Sequence, residues 1–366
     1  MALPLEAVRT CLERGLTFVA FRWKGRTRLW IQHKPTLTPI EHGSLNGLRD
    51  RFVIAPFHNE ERHLWALRPD LRLDLDDNEM DTAGLQTCQG AALPQREVNL
   101  HWDQAGHAQA IADAKDGFAS GTLHKVVLAR TLPLAFHSSR IPELFLSALQ
   151  EMPNAFVCLF NGPEHGTWLG ASPERLIHAT GNHVQVDAIA GTMPSSLAPA
   201  HAKDWGAKER DEQQWVTTAI EETFISAGLT EVTAEGPAVL KAGPVAHLHT
   251  TLTARTRTGQ LGPLVNALHP TPAVCGTPRA EAKQFILSHE PRDRGLYAGF
   301  WGPWMVDGET ELFVNIRCSH ASNDQLVLFV GGGITSGSSA THEWQETEHK
   351  ARTWTRIIEA LPSRIS

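Results

Sequence analysis

A chain of 366 residues that is 42% hydrophobic and 20% charged carries ample material for a soluble core, in one large or two ordinary domains. Its formal net charge of −7 argues against a general nucleic-acid binder or a protein of anionic membrane surfaces, while leaving room for a small anion at a local cationic site. The five cysteines (Cys11, Cys88, Cys158, Cys275 and Cys318) are odd in number and form no C-x-x-C, which fits reduced thiols in the cytoplasm.

The N-terminus places Glu6, Arg9, Glu13 and Arg14 where a signal peptide needs an apolar run, and no stretch approaches the length of a membrane span. A cytoplasmic protein is therefore expected. Residues 4–14 read as a helix, Leu16–Trp23 as a strand, and Thr27–His33 with Phe52–Phe57 as a further strand pair. The segment from Asp70 to Pro94 collects Asp76, Asp77, Asn78, Glu79 and Asp81 and reads as an exposed acidic loop or linker. A helix over Trp102–Ser120 leads into a strand at His124–Leu134, and another helix covers Pro142–Glu151. Strands follow at Ala155–Asn161, Thr167–Leu169, Arg175–Thr180 and Val184–Ile189, with turns at 170–174 and 190–194. A long helix spans Asp204–Gly228. Beyond it come a strand at Val245–Arg257, a Pro-rich turn at Leu268–Pro278 and a helix at Arg279–His289. Strands at Gly299–Val306, Glu311–Ser319 and Gln325–Val330 precede a glycine turn at Gly331–Gly333 and a C-terminal helix. Long strand runs broken by single helices predict an α+β fold, without the regular alternation of a doubly wound sheet.

Two helices carry the same chemistry. Glu343 and Glu346 are three residues apart, so they lie within about 60° of each other on one helical face, and Lys350 falls on the same stripe. Glu209 and Glu212 repeat that spacing on the 204–228 helix. Spacing describes two solvated helix faces equally well; the alternative is that the two helices bring four carboxylates around one hard cation such as Mg²⁺. The glycine turn and Lys350 form a possible anion site. Lys125 heads an apolar strand, where desolvation would favour the neutral amine of a general base. Glu174 follows Ser172-Pro173 at a strand entry, where a carboxyl could be held protonated as a general acid. Arg317 stands inside an apparent strand, FVNIRCS, and needs an anionic partner. His247 and His249 share a strand face but lack a third zinc ligand at telling spacing, so they read as structural. The glycine triplet has no G-K-[ST], which argues against nucleotide binding.

These residues sit in a series of motifs: KVVLAR (125–130), GASPERL (170–176), AIAGT (188–192), KERDEQQ (208–214), HPTPAVCG (269–276), RGLYAG (294–299), FVNIRCS (313–319), GGGI (331–334) and EWQETEHK (343–350). In that order they resemble the chorismate-utilising enzymes, in their isochorismate synthase branch, over about residues 95–360. The resemblance implies one chorismate-binding domain over 1–366, of which 1–94 is a divergent part of the same fold. Two packed, largely antiparallel sheets would carry helices outside and the active site in the cleft between them. It implies Lys125 as the base activating water for attack at C2 of chorismate, and Glu174 as the acid protonating the departing C4 hydroxyl. Glu212 and Glu346 would ligate Mg²⁺, with Glu209 and Glu343 reaching it through water. Arg317 and Tyr297 would hold the enolpyruvyl carboxylate. Lys350 and the N–H groups of Gly331, Gly332 and Gly333 would steady the carboxylates, while His247, Gly191 and Thr192 line the ring pocket. Lys125 stands where amine-using relatives carry glutamine, and Ala190 where others carry a lysine nucleophile, so no glutaminase subunit is expected. HPTPAVCG leans away from a salicylate synthase, which would continue to pyruvate elimination, and a non-catalytic relative would need neither Lys125 nor Glu174. Gln213 departs from the histidine of many relatives, and the 192–208 connection is compact. The chain is expected to be a monomer or weak dimer, and the product's destination (menaquinone, siderophore or salicylate) is left open.

Overall fold

The computed structural model describes residues 2–41, 44–58, 63–77, 79–92, 102–242, 245–257, 259–291, 293–322 and 324–362. In chain order they form α1 (Ala2–Glu13), β1 (Phe18–Trp23), β2 (Arg26–Ile31), β3 (Thr38–Glu41), β4 (Arg51–Ala55), β5 (His63–Leu67) and β6 (Leu71–Asp74). Then come α2 (Gln104–Ala119), β7 (Lys125–Ala135), α3 (Ile141–Glu151), β8 (Phe156–Gly162), β9 (Gly166–Ser172), β10 (Arg175–Thr180), β11 (His183–Pro194) and α4 (Ala207–Ser226). The remainder is β12 (Thr230–Ala242), β13 (Val245–Arg255), α5 (Leu261–Leu268), β14 (Gly276–Thr277), α6 (Arg279–His289), β15 (Phe300–Trp304), β16 (Glu309–Val314), β17 (Cys318–Ala321), β18 (Gln325–Ile334) and α7 (Ala340–Ala360).

Among the described residues the strands build two nine-stranded antiparallel sheets, ordered β14-β7-β18-β17-β9-β8-β1-β2-β6 and β12-β13-β11-β10-β16-β15-β4-β5-β3. Their inner faces meet in an aromatic layer. Phe156 of the first sheet stacks on Phe313 of the second with centroids 4.0 Å apart, and Phe21 packs on Phe52 at 5.0 Å. The outer face of the first sheet is covered by α1, α3 and α7 through a second apolar cluster that includes Val8, Phe145, Val157 and Trp354. Burial on both faces explains why β8 reads as a continuous apolar run over Phe156–Phe160 rather than an alternating one. In α7 Ala351, Trp354 and Ile357, at helical spacing, form the buried apolar stripe.

Several expectations need correction. Residues 27–33 and 52–57 do not pair with each other: β2 lies beside β1 in the first sheet, whereas β4 lies between β15 and β5 in the second. The 70–94 stretch is no linker, because Leu71–Asp74 pairs with β2 and Asp76 accepts from the Thr27 N–H at 2.7 Å. Its acidic residues cap backbone groups at the sheet edge. The boundary between 94 and 95, and Asn78, fall outside the described residues. Strands within residues 18–74 extend both sheets. The 190–194 turn is strand, with a register shift between Ala190 and Thr192 at Gly191. Gly331–Gly333 is likewise strand, paired with Ala129, Leu128 and Val127 of β7.

Candidate active site

Two crossings of the chain between the sheets create the centre. β9 of the first sheet ends at Ser172 and β10 of the second begins at Arg175; β16 of the second ends at Val314 and β17 returns to the first at Cys318. The crossings are bonded to each other: the Val314 N–H donates to the Glu174 carbonyl and the Ala171 N–H to the Arg317 carbonyl, both at 3.0 Å. Arg317 is therefore not inside a strand. It adopts a left-handed φ of 50°, which breaks FVNIRCS in two and turns its side chain out of both ladders. Its Nη1 donates to Thr353 Oγ1 of α7 at 2.8 Å, and no carboxylate pairs with its guanidinium among the described residues.

Beside the crossings a cleft open to solvent lies between the sheets. From the first sheet it is lined by Lys125, Phe329, Gly331 and Gly333; from the second by Ile189, Ala190, Gly191, Thr192 and His247. Glu174, Tyr297 and Arg317 reach it from connecting segments, Glu209 and Glu212 from α4, and Glu346 and Lys350 from α7. Gly332 and Glu343 stand behind this lining. An ideal Cβ on Gly332 would lie 3.3 Å from Glu343 Oε2 and 3.8 Å from Glu346 Oε1.

The glycines serve space rather than backbone conformation. None of the three has a positive φ, yet a methyl on Gly331 would stand 2.6 Å from Tyr297 Oη, and one on Gly333 2.9 Å from Lys125 Cε. Because the segment is paired strand rather than a turn, its N–H groups alternate between the β7 edge and the opposite edge instead of gathering in one turn. The Gly331 carbonyl instead accepts from Lys350 Nζ at 2.7 Å, and Lys350 also contacts Glu346 Oε1 at 2.6 Å.

Burial sets the charges. The Glu174 carboxyl, 5% exposed, is pushed up to about 7 by burial, with the Lys125 ammonium opposing and Asp187 reinforcing the shift. Burial also raises Glu212 against the pull of Lys125 and Lys208. For Glu346, burial acts upward but is outweighed by Lys350, Lys208 and Lys125, and the net shift is downward. Burial, with Arg317 and Lys350 nearby, lowers His247 to about 3, so this ring is neutral; its Nδ1 lies 3.0 Å from Thr192 Oγ1. Burial raises the Tyr297 phenol, keeping it a donor. His249 is bonded to Asp187 at 3.0 Å, so neither histidine of the HLH pair is presented to a metal.

The carboxylates suit a hard divalent cation by chemistry: all donors are oxygens, and Glu343 Oε2 is buried without a hydrogen-bond partner among the described residues. Among the described residues they are not already gathered into a cluster of three donors. Lys208 pairs with Glu343 at 3.1 Å and Lys350 with Glu346, so each ammonium holds one carboxylate. Lys208 is not among the candidates that the motifs single out. Its signal was the i,i+4 spacing from Lys208 to Glu212, which places both on one face of α4.

Comparison with known proteins agrees with this geometry. A family profile described as "Chorismate binding enzyme" matches residues 63–359. Isochorismate synthase DhbC of Bacillus subtilis is 34% identical over 285 residues, covering 70% of this chain and 71% of that protein. Isochorismate synthase MenF of Escherichia coli is 31% identical over 260 residues, covering 69% of this chain and 60% of MenF, less than two thirds of its length. The solved structure of the Escherichia coli menaquinone-specific isochorismate synthase MenF superimposes with a TM-score of 0.77 at 22% identity, covering 98% of this chain and 91% of that one. At that identity the superposition establishes the fold: two largely antiparallel sheets with helices outside.

Proposed function

The chain belongs to the chorismate-binding enzyme family, and on that premise we propose that it interconverts chorismate and isochorismate. The observation that carries this reading is the convergence on one cavity of Lys125 from the first sheet, Glu174 from a crossing, and Glu212 and Glu346 from two helices. Lys125 takes a proton from water as the oxygen attacks C2 of chorismate. The double bonds shift, the C4–O bond breaks, and Glu174 supplies the proton that lets the C4 hydroxyl leave as water. One water is consumed and one released, so the reaction is an isomerisation. The Glu174 carboxyl, held up to about 7 by burial, is available in its protonated form near neutral pH. Arg317 and the Tyr297 phenol would hold the enolpyruvyl carboxylate, and neutral His247 with Gly191 and Thr192 would border the ring.

Glu212 and Glu346 would hold Mg²⁺, with Glu343 drawn in beside them; when bound, the ion would neutralise and orient the ring carboxylate. Glu209, on the same helix, would act through water. Lys350 would steady the carboxylates as a side-chain cation. Ala190 supplies no nucleophile, which supports water rather than a covalent amine route. The relatives matched are named isochorismate synthases, and this disfavours the further elimination of pyruvate. Strands from both ends of the chain in each sheet support reading it as one chorismate-binding unit. No described helix is long and apolar enough to cross a membrane. Incubation with chorismate and Mg²⁺ tests the reading: isochorismate is the expected product, and anthranilate, or salicylate with pyruvate, would refute it.

A further inference from the structure

Beyond Gln185, β11 has no strand among the described residues on the side away from β13, because β10 pairs with it only over His183–Gln185. Its free backbone groups there are taken up by one side chain of α4. Gln213 Oε1 accepts from the Ala190 N–H at 2.8 Å, and Gln213 Nε2 donates to the Ala188 carbonyl at 3.0 Å. The same Nε2 donates to Thr250 Oγ1 on β13 at 3.0 Å. The primary amide thus imitates the N–H and C=O that one residue of a neighbouring parallel strand would present, meeting a C=O and an N–H two residues apart. Gln213 is only 2% exposed, so these groups have no water to replace it. One turn earlier on α4, Gly191 with φ +63° lets β11 approach so closely that an added Cβ would stand 2.7 Å from the Glu209 carbonyl. Helix and strand therefore meet at two points, and Glu212 projects into the cavity from between them.

We infer that Gln213 is a positioning residue: its amide fixes the helix carrying Glu212 against the Ile189–Thr192 wall of the cavity, and so sets the divalent-cation site relative to the substrate ring. This rests on the reading of Glu212 as a Mg²⁺ ligand. The amide uses both N–H donors and its carbonyl oxygen, which an imidazole, with one donor and one acceptor when neutral, cannot reproduce. The remaining amide contact, to Thr217 Oγ1 at 3.4 Å, stays within α4 and serves the helix alone.

Calorimetric titration of Mg²⁺ into the intact protein, without chorismate, tests this. Gln213→Leu keeps the volume and removes every hydrogen bond; Gln213→His restores one donor and one acceptor. The expected result is a Mg²⁺ dissociation constant raised about tenfold in Gln213→Leu and by less in Gln213→His. The Mg²⁺ needed for half-maximal turnover should rise in parallel, with kcat at saturating Mg²⁺ within about twofold of the parent. Thr217→Val, which removes a buried hydroxyl from the same helix, should lower thermal stability and leave Mg²⁺ affinity unchanged. A folded Gln213→Leu protein that loses stability yet binds Mg²⁺ like the parent would overturn the inference, and parental affinity in Gln213→His would do so if the leucine variant does not fold. A parent that binds no Mg²⁺ would overturn the reading of Glu212 as well, so the two failures are distinct.

Discussion

Lys208 Nζ lies 3.1 Å from Glu343 Oε1, an ion pair that ties α4 to α7 with Lys208 at the cavity wall. The partners are unequal, with side-chain exposures of 39% for Lys208 and 2% for Glu343. Removing the lysine strands a buried carboxylate whose second oxygen already lacks a partner. Lys208→Met should therefore cost about 1–3 kcal/mol in metal-free protein, the usual penalty of an unsatisfied buried polar group. Added Mg²⁺ should restore part of it by supplying a replacement cation. Urea denaturation in EDTA and in Mg²⁺ reads both effects; an unchanged midpoint in EDTA would contradict the role given to this pair.

Gly333 has backbone angles that alanine can adopt, yet its Cβ position lies 2.9 Å from Lys125 Cε and 3.5 Å from Lys125 Nζ. Gly333→Ala should leave the strand paired and displace the Lys125 side-chain nitrogen, lowering kcat by roughly the ~10²–10⁴ of a lost general base while shifting the melting temperature little. A variant with parental kcat would show that Lys125 does not work from this position.

The same glycines mark where sequence alone ran short. A G-G-G run is the common signature of a turn, but here three small residues make room for Tyr297, Glu343 and Lys125 on one strand. Arg317 looked like a strand residue because Phe313, Val314 and Cys318 around it are apolar; the left-handed backbone that divides β16 from β17 leaves no mark on composition. β12 was missed because its residues 230–241 are exposed apart from partly covered Val232, Val239 and Leu240, so no alternation betrays it. What was legible has a physical reason as well. Both E-x-x-E spacings survive because a helix fixes which side chains share a face, and α4 and α7 each deliver a carboxylate to the cavity. The helices α2, α3 and α6 and the doubly buried strands β7 and β8 were readable from periodicity and from continuous apolar runs.

Among the described residues Arg317 holds a hydroxyl but no carboxylate, which leaves its positive charge available to a substrate. Arg317→Met should raise KM for chorismate by about 10–100-fold, the worth of a charged hydrogen bond, and change kcat less. Steady-state kinetics decide; an unchanged KM would remove Arg317 from the binding site.

For the acid, the sign of the pH effect is fixed by its task. Glu174 must be protonated to donate, and burial has raised its carboxyl to about 7. The value of kcat/KM should therefore fall tenfold per pH unit above about 7, as the proton is lost. Asp187 favours the protonated form, so Asp187→Asn should move this limb to lower pH. Glu174→Gln should bind Mg²⁺ normally and turn over ~10²–10⁴ more slowly, without the limb. A basic limb that persists in Glu174→Gln would assign it to another group.

Turnover of chorismate in H₂¹⁸O, with mass analysis of the isochorismate formed early in the reaction, tests the central claim most directly. Attack by a Lys125-activated water at C2 predicts one solvent-derived ¹⁸O in each new isochorismate, and a matching loss of that labelled product in Lys125→Gln. Unlabelled isochorismate from the parent protein would mean that the C4 hydroxyl itself migrates, and would contradict the mechanism.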